Sequence, residues 1–137
     1  MVAGGPCRAG GVCEMAVLVE KGGCDVCVGV CSMPQGRYAD ARQRGFWTVR
    51  LDDGVVCCDG DVRAPLAGWV AVCPGEETGL VYDAATCTLE VAVHGRRWAV
   101  ATGPVPSGAH LVVCTMRGNT VRVLRASHSA PPATAKL

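Results

Sequence analysis

The stretch Gly45-Phe46-Trp47-Thr48-Val49-Arg50-Leu51-Asp52-Asp53-Gly54 decides how this chain is read. Its side chains alternate, with Trp47, Val49 and Leu51 on one face and Phe46, Thr48 and Arg50 on the other. A glycine closes each end. That alternation predicts a half-buried β-strand from Phe46 to Leu51, running into a tight turn. The Asp-Gly pair of the turn favours a hairpin, so Val55 to Cys58 is expected to return beside it.

The same period continues on both sides. Upstream, Val12 to Val19 alternates, Lys21-Gly22-Gly23 is a turn, and Asp25 to Cys31 is the next strand. Ser32 to Arg44 is a long loop. Downstream, Asp59 to Leu66 is polar with a proline and reads as loop, and Gly68 to Cys73 as a short strand. Gly79 to Asp83, Thr88 to Val93, Arg97 to Ala101, Leu111 to Thr115 and Thr120 to Leu124 complete the set. No segment has a sustained helical period with caps. Many short strands between turn signals predict an all-β antiparallel sandwich or barrel. Residues 1–11 are expected to be a flexible approach, 12–125 the folded domain, and 126–137, with Pro131-Pro132, a disordered tail.

Composition narrows the function classes. A chain of 137 residues suits one core. With half its residues hydrophobic and 18% charged it is no disordered chain. The net charge of +1, with the basic residues spread out, argues against nucleic-acid binding. No apolar run has the length of a membrane span, and no secretion signal or lipidation motif is visible. The cytoplasm is the expected location, or the nucleus. The terminal Ala135-Lys136-Leu137 is similar to a variant peroxisomal address, a match that three residues make by chance. Isoleucine is absent, Asn119 is the only asparagine, and arginine far outnumbers lysine. Such usage points to a GC-rich coding source, such as a large DNA virus.

Ten cysteines need an explanation. A disulfide framework needs an oxidising compartment. A zinc site is hinted at by Cys24, Cys27 and Cys31, but on a strand Cys24 and Cys27 project to opposite faces, and no second knuckle completes the set. The remaining reading makes cysteine a small core hydrophobe. The pattern favours it: Cys13 is in phase with Met15, Val17 and Val19, and the chain has only three Trp, two Tyr and one Phe to fill a core. No metal and no cofactor is expected.

Four motifs carry a resemblance to the SPRY domain of tripartite-motif and butyrophilin proteins. Gly45 to Leu51 is similar to that family's Gly-Tyr/Phe-Trp-Thr-Val-Arg-Leu. Val12-Cys13-Glu14-Met15-Ala16-Val17 falls where the family has Tyr-Trp-Glu-Val-Glu-Val, and Val28-Gly29-Val30 matches its Val-Gly-Val. Thr78 to Ala85 resembles its Val-Gly-Val-Phe-Leu-Asp-Tyr-Glu, with Thr88-Leu89-Glu90-Val91 as the strand that follows. The order and spacing agree over about Val12 to Arg125. The departures are Cys13 for the family's Trp, Ala84-Ala85 for its Tyr-Glu, Cys87 for the glycine after it, and no Leu-Asp-Pro segment in front. The resemblance implies a minimal, diverged SPRY domain: a concanavalin-like jelly roll that binds a protein partner through its loops.

Nothing in the sequence points to catalysis. His94 falls in a turn, His110 at a strand entrance and His128 in the tail, and each reads as a surface histidine with no catalytic role; no Gly-x-Ser-x-Gly elbow or phosphate loop is present, and Asp52-Asp53 are turn residues. Binding is better supported, because loops on a rigid scaffold carry recognition and Trp and Arg dominate interface energetics. The candidate contact residues are Arg37, Tyr38, Arg42 and Arg44 in the long loop, Arg63 and Trp69 in the stretch from Asp61 to Trp69, and Arg96, Arg97 and Trp98 around the His94-Gly95 turn. The resemblance places Trp47 in the core. The expected function is a monomeric, non-catalytic protein-interaction module, in its viral version a decoy that blunts host innate defence. The competing expectation is a cysteine-rich structural or secreted protein held by disulfides.

Overall fold

The computed structural model of the chain describes residues 2–8, 10–22, 25–32, 44–105, 108–115 and 118–129. Among the described residues eleven strands follow one another. They are β1 (Val2–Pro6), β2 (Val12–Lys21), β3 (Cys27–Cys31), β4 (Phe46–Arg50), β5 (Val55–Cys58), β6 (Asp61–Pro65), β7 (Glu77–Asp83), β8 (Thr88–Val93), β9 (Arg96–Ala101), β10 (His110–Cys114) and β11 (Thr120–Ser129). All pairings are antiparallel. One sheet has the order β1-β10-β3-β4-β5-β6, the other β11-β2-β7-β8-β9. The two layers close over one core, the all-β sandwich that the alternation predicts.

The core is built from small side chains. Val17, Val19, Val28, Val30, Val49, Leu51, Leu89 and Val91 are sealed from solvent, with Met15, Trp47, Leu80 and Tyr82 around them. Burying one such aliphatic side chain stabilises the fold by about 1.5–3 kcal/mol. Cys7, Cys13 and Cys58 sit in the same cluster, where a thiol packs as a small hydrophobe. Cys24 lies outside the described residues.

Strand β4 is more deeply placed than a half-buried strand. Phe46, Trp47, Thr48 and Val49 are all buried. Trp47, Val49 and Leu51 face the sandwich core, while Phe46 joins Cys31, Val112 and Cys114 in a second apolar cluster, with Cys27 packed against it. The register puts Phe46 beside Cys31 and Cys27 beside Cys114 on this outer face. Alternation reports polarity along one strand. It does not report what covers the second face.

Four segments differ from the sequence expectation. Asp61 to Pro65, read as loop, is edge strand β6, paired to β5 through Asp59-Gly60. Both turn residues have positive φ (50° and 91°), as a type I′ hairpin requires. An edge strand exposed on both faces has no apolar alternation to read. Gly68 to Cys73, read as a strand, belongs to none of the sheets. It crosses between the layers on single bonds, such as Val72 N–H to the Leu51 carbonyl at 3.0 Å. At the ends of the domain, β1 pairs with β10, and β11 continues to Ser129 alongside β2.

Gly29 of β3 sits directly against the backbone of β4. A Cβ there would lie 1.9 Å from the Trp47 carbonyl oxygen and 2.8 Å from Thr48 Cα. Only glycine fits between β3 and β4 at this pair.

Candidate functional site

A polar cleft of about 610 Å³ opens where the edges of the two sheets approach each other. Ser32 at the end of β3, Arg44 and Gly45 before β4, and Asp59 after β5 form one part of its lining. Trp47 and Cys58, both nearly buried, reach it from the core side. Asp61 and Arg63 of β6 form a second wall, and Ala101, Thr102 and Pro104 at the end of β9 a third.

Local bonds fix this shape. The Asp59 carboxylate accepts the Gly45 N–H at 2.7 Å, and the Asp59 N–H donates to the Phe46 carbonyl at 2.8 Å. The entry to β4 is therefore tied to the turn after β5. Gly45 is also tied to the β3 end, since the Ser32 N–H donates to the Gly45 carbonyl at 2.8 Å. On the third wall, Thr102 N–H donates to the Cys87 carbonyl at 2.9 Å, and the Thr102 hydroxyl lies 3.2 Å from the Tyr82 hydroxyl. Burial pushes the Cys58 thiol above its ordinary range, against the opposing pull of the Arg63 guanidinium. The thiol is thus neutral at physiological pH and unsuited to nucleophilic work.

The sequence candidates divide into three places. Arg44 and Arg63 line the cleft. Arg37, Tyr38 and Arg42 lie outside the described residues, in a segment whose two flanking residues, Ser32 and Arg44, both border the cleft. Trp69, Arg96 and Trp98 meet elsewhere. Trp69 and Trp98 have ring centroids 4.7 Å apart, and the Arg96 guanidinium stands 4.9 Å from the Trp98 ring centre. Their polar atoms are engaged: Trp69 Nε1 donates to the Leu51 carbonyl (3.0 Å), Trp98 Nε1 to Ala67 (2.9 Å) and Arg96 Nη1 to Gly68 (2.6 Å). Arg97 is on the outer face of the second sheet, 3.3 Å from Glu90.

The sequence reading missed Ser32, Asp59, Asp61 and Thr102 as cleft residues. Small polar residues in turns carry no signal of their own, and only the approach of two sheet edges brings them together. The histidine in the His94-Gly95 turn has a neighbour: Nδ1 lies 2.9 Å from Glu76. Asp53 is bonded to Arg50, and its Oδ1 accepts the Val55 N–H at 3.0 Å. It works as a turn residue. Among the described residues, no group of three or more His, Cys, Asp or Glu is placed to hold a metal ion.

No protein-family model matches this chain, and no curated protein sequence is similar to it. Solved structures are similar to it in fold. The SPRY domain of human HERC1 superposes with a TM-score of 0.64 at 17% identity, over 90% of this chain and 77% of that one. The TRIM65 PSpry domain gives 0.61 at 17% identity, over 88% and 68%. A human SPRY domain gives 0.56 at 13% identity, over 89% and 81%. The fold is that of a SPRY domain. The four sequence motifs that resemble the family fall on β2, β3, β4 and the β7–β8 hairpin.

Proposed function

We propose that this chain is a minimal SPRY domain that binds a protein partner in the cleft between the β6 and β9 edges, without catalysis. The observation that carries this reading is that Ser32 and Arg44, the described residues on either side of the Arg- and Tyr-bearing stretch of sequence, both line the cleft. Loops on a rigid sandwich are suited to recognition, and a cleft of this size with charged walls accepts an extended segment of another protein. Arg44 and Arg63, together with Arg37 and Arg42 of the adjoining segment, favour a partner that presents acidic side chains. Arg is well matched to carboxylates through its paired donors.

The composition adds a finer reading: a viral product that occupies a host protein's site and so blunts innate defence. It rests on codon-driven residue usage and on the absence of any catalytic constellation in the sequence.

Affinity capture from cells of the natural source, with wild type and an Arg44→Glu variant compared, tests the site. Arg44 is exposed, so the variant retains the fold. A protein retained by wild type and by an Arg122→Glu control, but lost with Arg44→Glu, supports the reading. Equal recovery by all three chains refutes it. Recovery of a host defence factor supports the viral version; recovery of a structural protein alone removes it.

A further inference from the structure

We infer that β6 is a self-complementary edge through which two copies of this chain pair antiparallel, about a two-fold axis at Val62. Every residue of β6 is exposed, and Val62 is 62% exposed, more than any other large hydrophobic side chain described. Among the described residues no strand pairs with its outer side.

The hydrogen-bond parity settles which groups face outward. Asp59 N–H donates to β4, at the Phe46 carbonyl. Bonding direction alternates along a strand, so Cys58 addresses β6 and Cys57 addresses β4. Cys58 and Asp61 flank the two-residue turn and form the bonded pair of the hairpin. The next pair, Cys57 with Val62, is the unbonded one. Val62 therefore directs both its N–H and its C=O away from β5, toward the open edge.

The side chains supply the specificity. Asp61 and Arg63 lie on the cleft side of β6, and Val62 on the opposite face beside Cys57. Neither Asp61 nor Arg63 is in an ion pair with any described residue. Read in reverse, Asp-Val-Arg is its own complement. With the axis at Val62, each Asp61 stands opposite Arg63 of the second copy, and the two valines face each other. Charges that blunt a sheet edge do so by meeting like charges when copies approach. Here the two-fold makes them meet as opposites, and opposite charges directly across strands stabilise pairing. Pro65 lacks an N–H and a register irregularity lies between Val55 and Cys57, so the new ladder stays short. Two-fold pairing also closes on itself and does not propagate into a fibre. So small a contact makes a weak, concentration-dependent dimer. This departs from the monomer that the sequence alone predicts; it shares Arg63 with the partner reading above but not Arg44.

Sedimentation velocity of the purified chain over a wide concentration range tests the inference. Wild type is expected to shift from monomer to dimer. Asp61→Arg and Arg63→Asp each place like charges opposite and are expected to weaken association by about tenfold or more. An equimolar mixture of those two variants, or the Asp61→Arg/Arg63→Asp double variant, restores opposite charges and is expected to recover it. Val62→Pro deletes the outward N–H and is expected to abolish it, with circular dichroism confirming an intact sandwich. Arg44→Glu, which removes the cleft charge and leaves the edge intact, is expected to dimerise normally. A wild type that stays monomeric at the highest concentration, single variants that associate as wild type does, or charge exchange without recovery would each overturn the proposal.

Discussion

Trp69 and Trp98 meet with their ring centroids 4.7 Å apart and their planes inclined at 51°. Trp69 belongs to the crossing segment and bonds to the Leu51 carbonyl at the end of β4. Trp98 belongs to β9 and bonds back to that segment at Ala67. Each indole thus ties the irregular stretch to a different sheet, and the ring contact joins the two ties. The Arg96 guanidinium covers Trp98 and bonds to Gly68, completing the clasp.

Removing either ring should loosen the clasp. Trp98→Ala is expected to cost about 2–4 kcal/mol, somewhat less than a fully buried aromatic, because the ring is only half-buried. The double-mutant cycle with Trp69→Ala should return a coupling of about 0.5–1.5 kcal/mol. Urea denaturation of the four proteins measures both, and additive losses would remove the ring contact from the account.

Gly29→Ala is expected to be far more damaging than its size implies. The new methyl would have to displace backbone atoms of the adjacent central strand, not a side-chain tip. Overpacking usually costs about 1–3 kcal/mol, and contact with backbone puts this case at or above the upper end. The soluble yield and the midpoint of thermal unfolding report it. A variant within half a kilocalorie of wild type would mean that β3 and β4 are farther apart than described.

Acid should weaken the β4–β5 turn. The Arg50 guanidinium, and then the Val55 N–H, hold the Asp53 carboxyl below the usual carboxylate range. A depressed pKa means stability that is fully present above the unfolded value of about 3.9 and lost as pH falls through the folded value. The effect is therefore confined to pH below about 4. Both side chains are partly exposed (26% and 40%), so solvent screening limits the gain to about 1 kcal/mol or less. Asp53→Asn should lower stability at pH 7 and flatten the acid limb of the stability curve. Denaturant titrations between pH 2.5 and 7 test both points.

Thiol labelling should follow burial. Cys13 and Cys27 are both pushed up to about 12, chiefly by burial, whereas Cys73 is exposed. In native protein treated with iodoacetamide near pH 8, Cys73 is expected to be the first of the described cysteines to take a label. The buried thiols should react only after denaturant is added. Intact-mass and peptide analysis resolve this, and rapid native labelling at Cys13 or Cys27 would contradict the packing.

The sequence by itself determined the class of fold, because period-two alternation over Val12 to Val19, Phe46 to Leu51, Thr88 to Val93 and their neighbours leaves little choice but stacked sheets. The resemblance of Gly45 to Leu51 to a SPRY strand also placed Trp47 in the core, where it lies. Alternation is a local property, so it could not show that the second face of β4 is also covered, nor that Asp61 to Pro65 forms an edge strand with neither face buried. The tertiary structure alone decided which candidates meet. Arg44 and Arg63 are distant in sequence and become neighbours of one cleft because β6 and β9 end the two sheets on the same side. Trp69, Arg96 and Trp98 were drawn together elsewhere because a chain crossing between layers must satisfy its freed carbonyls, and indole and guanidinium donors were within reach.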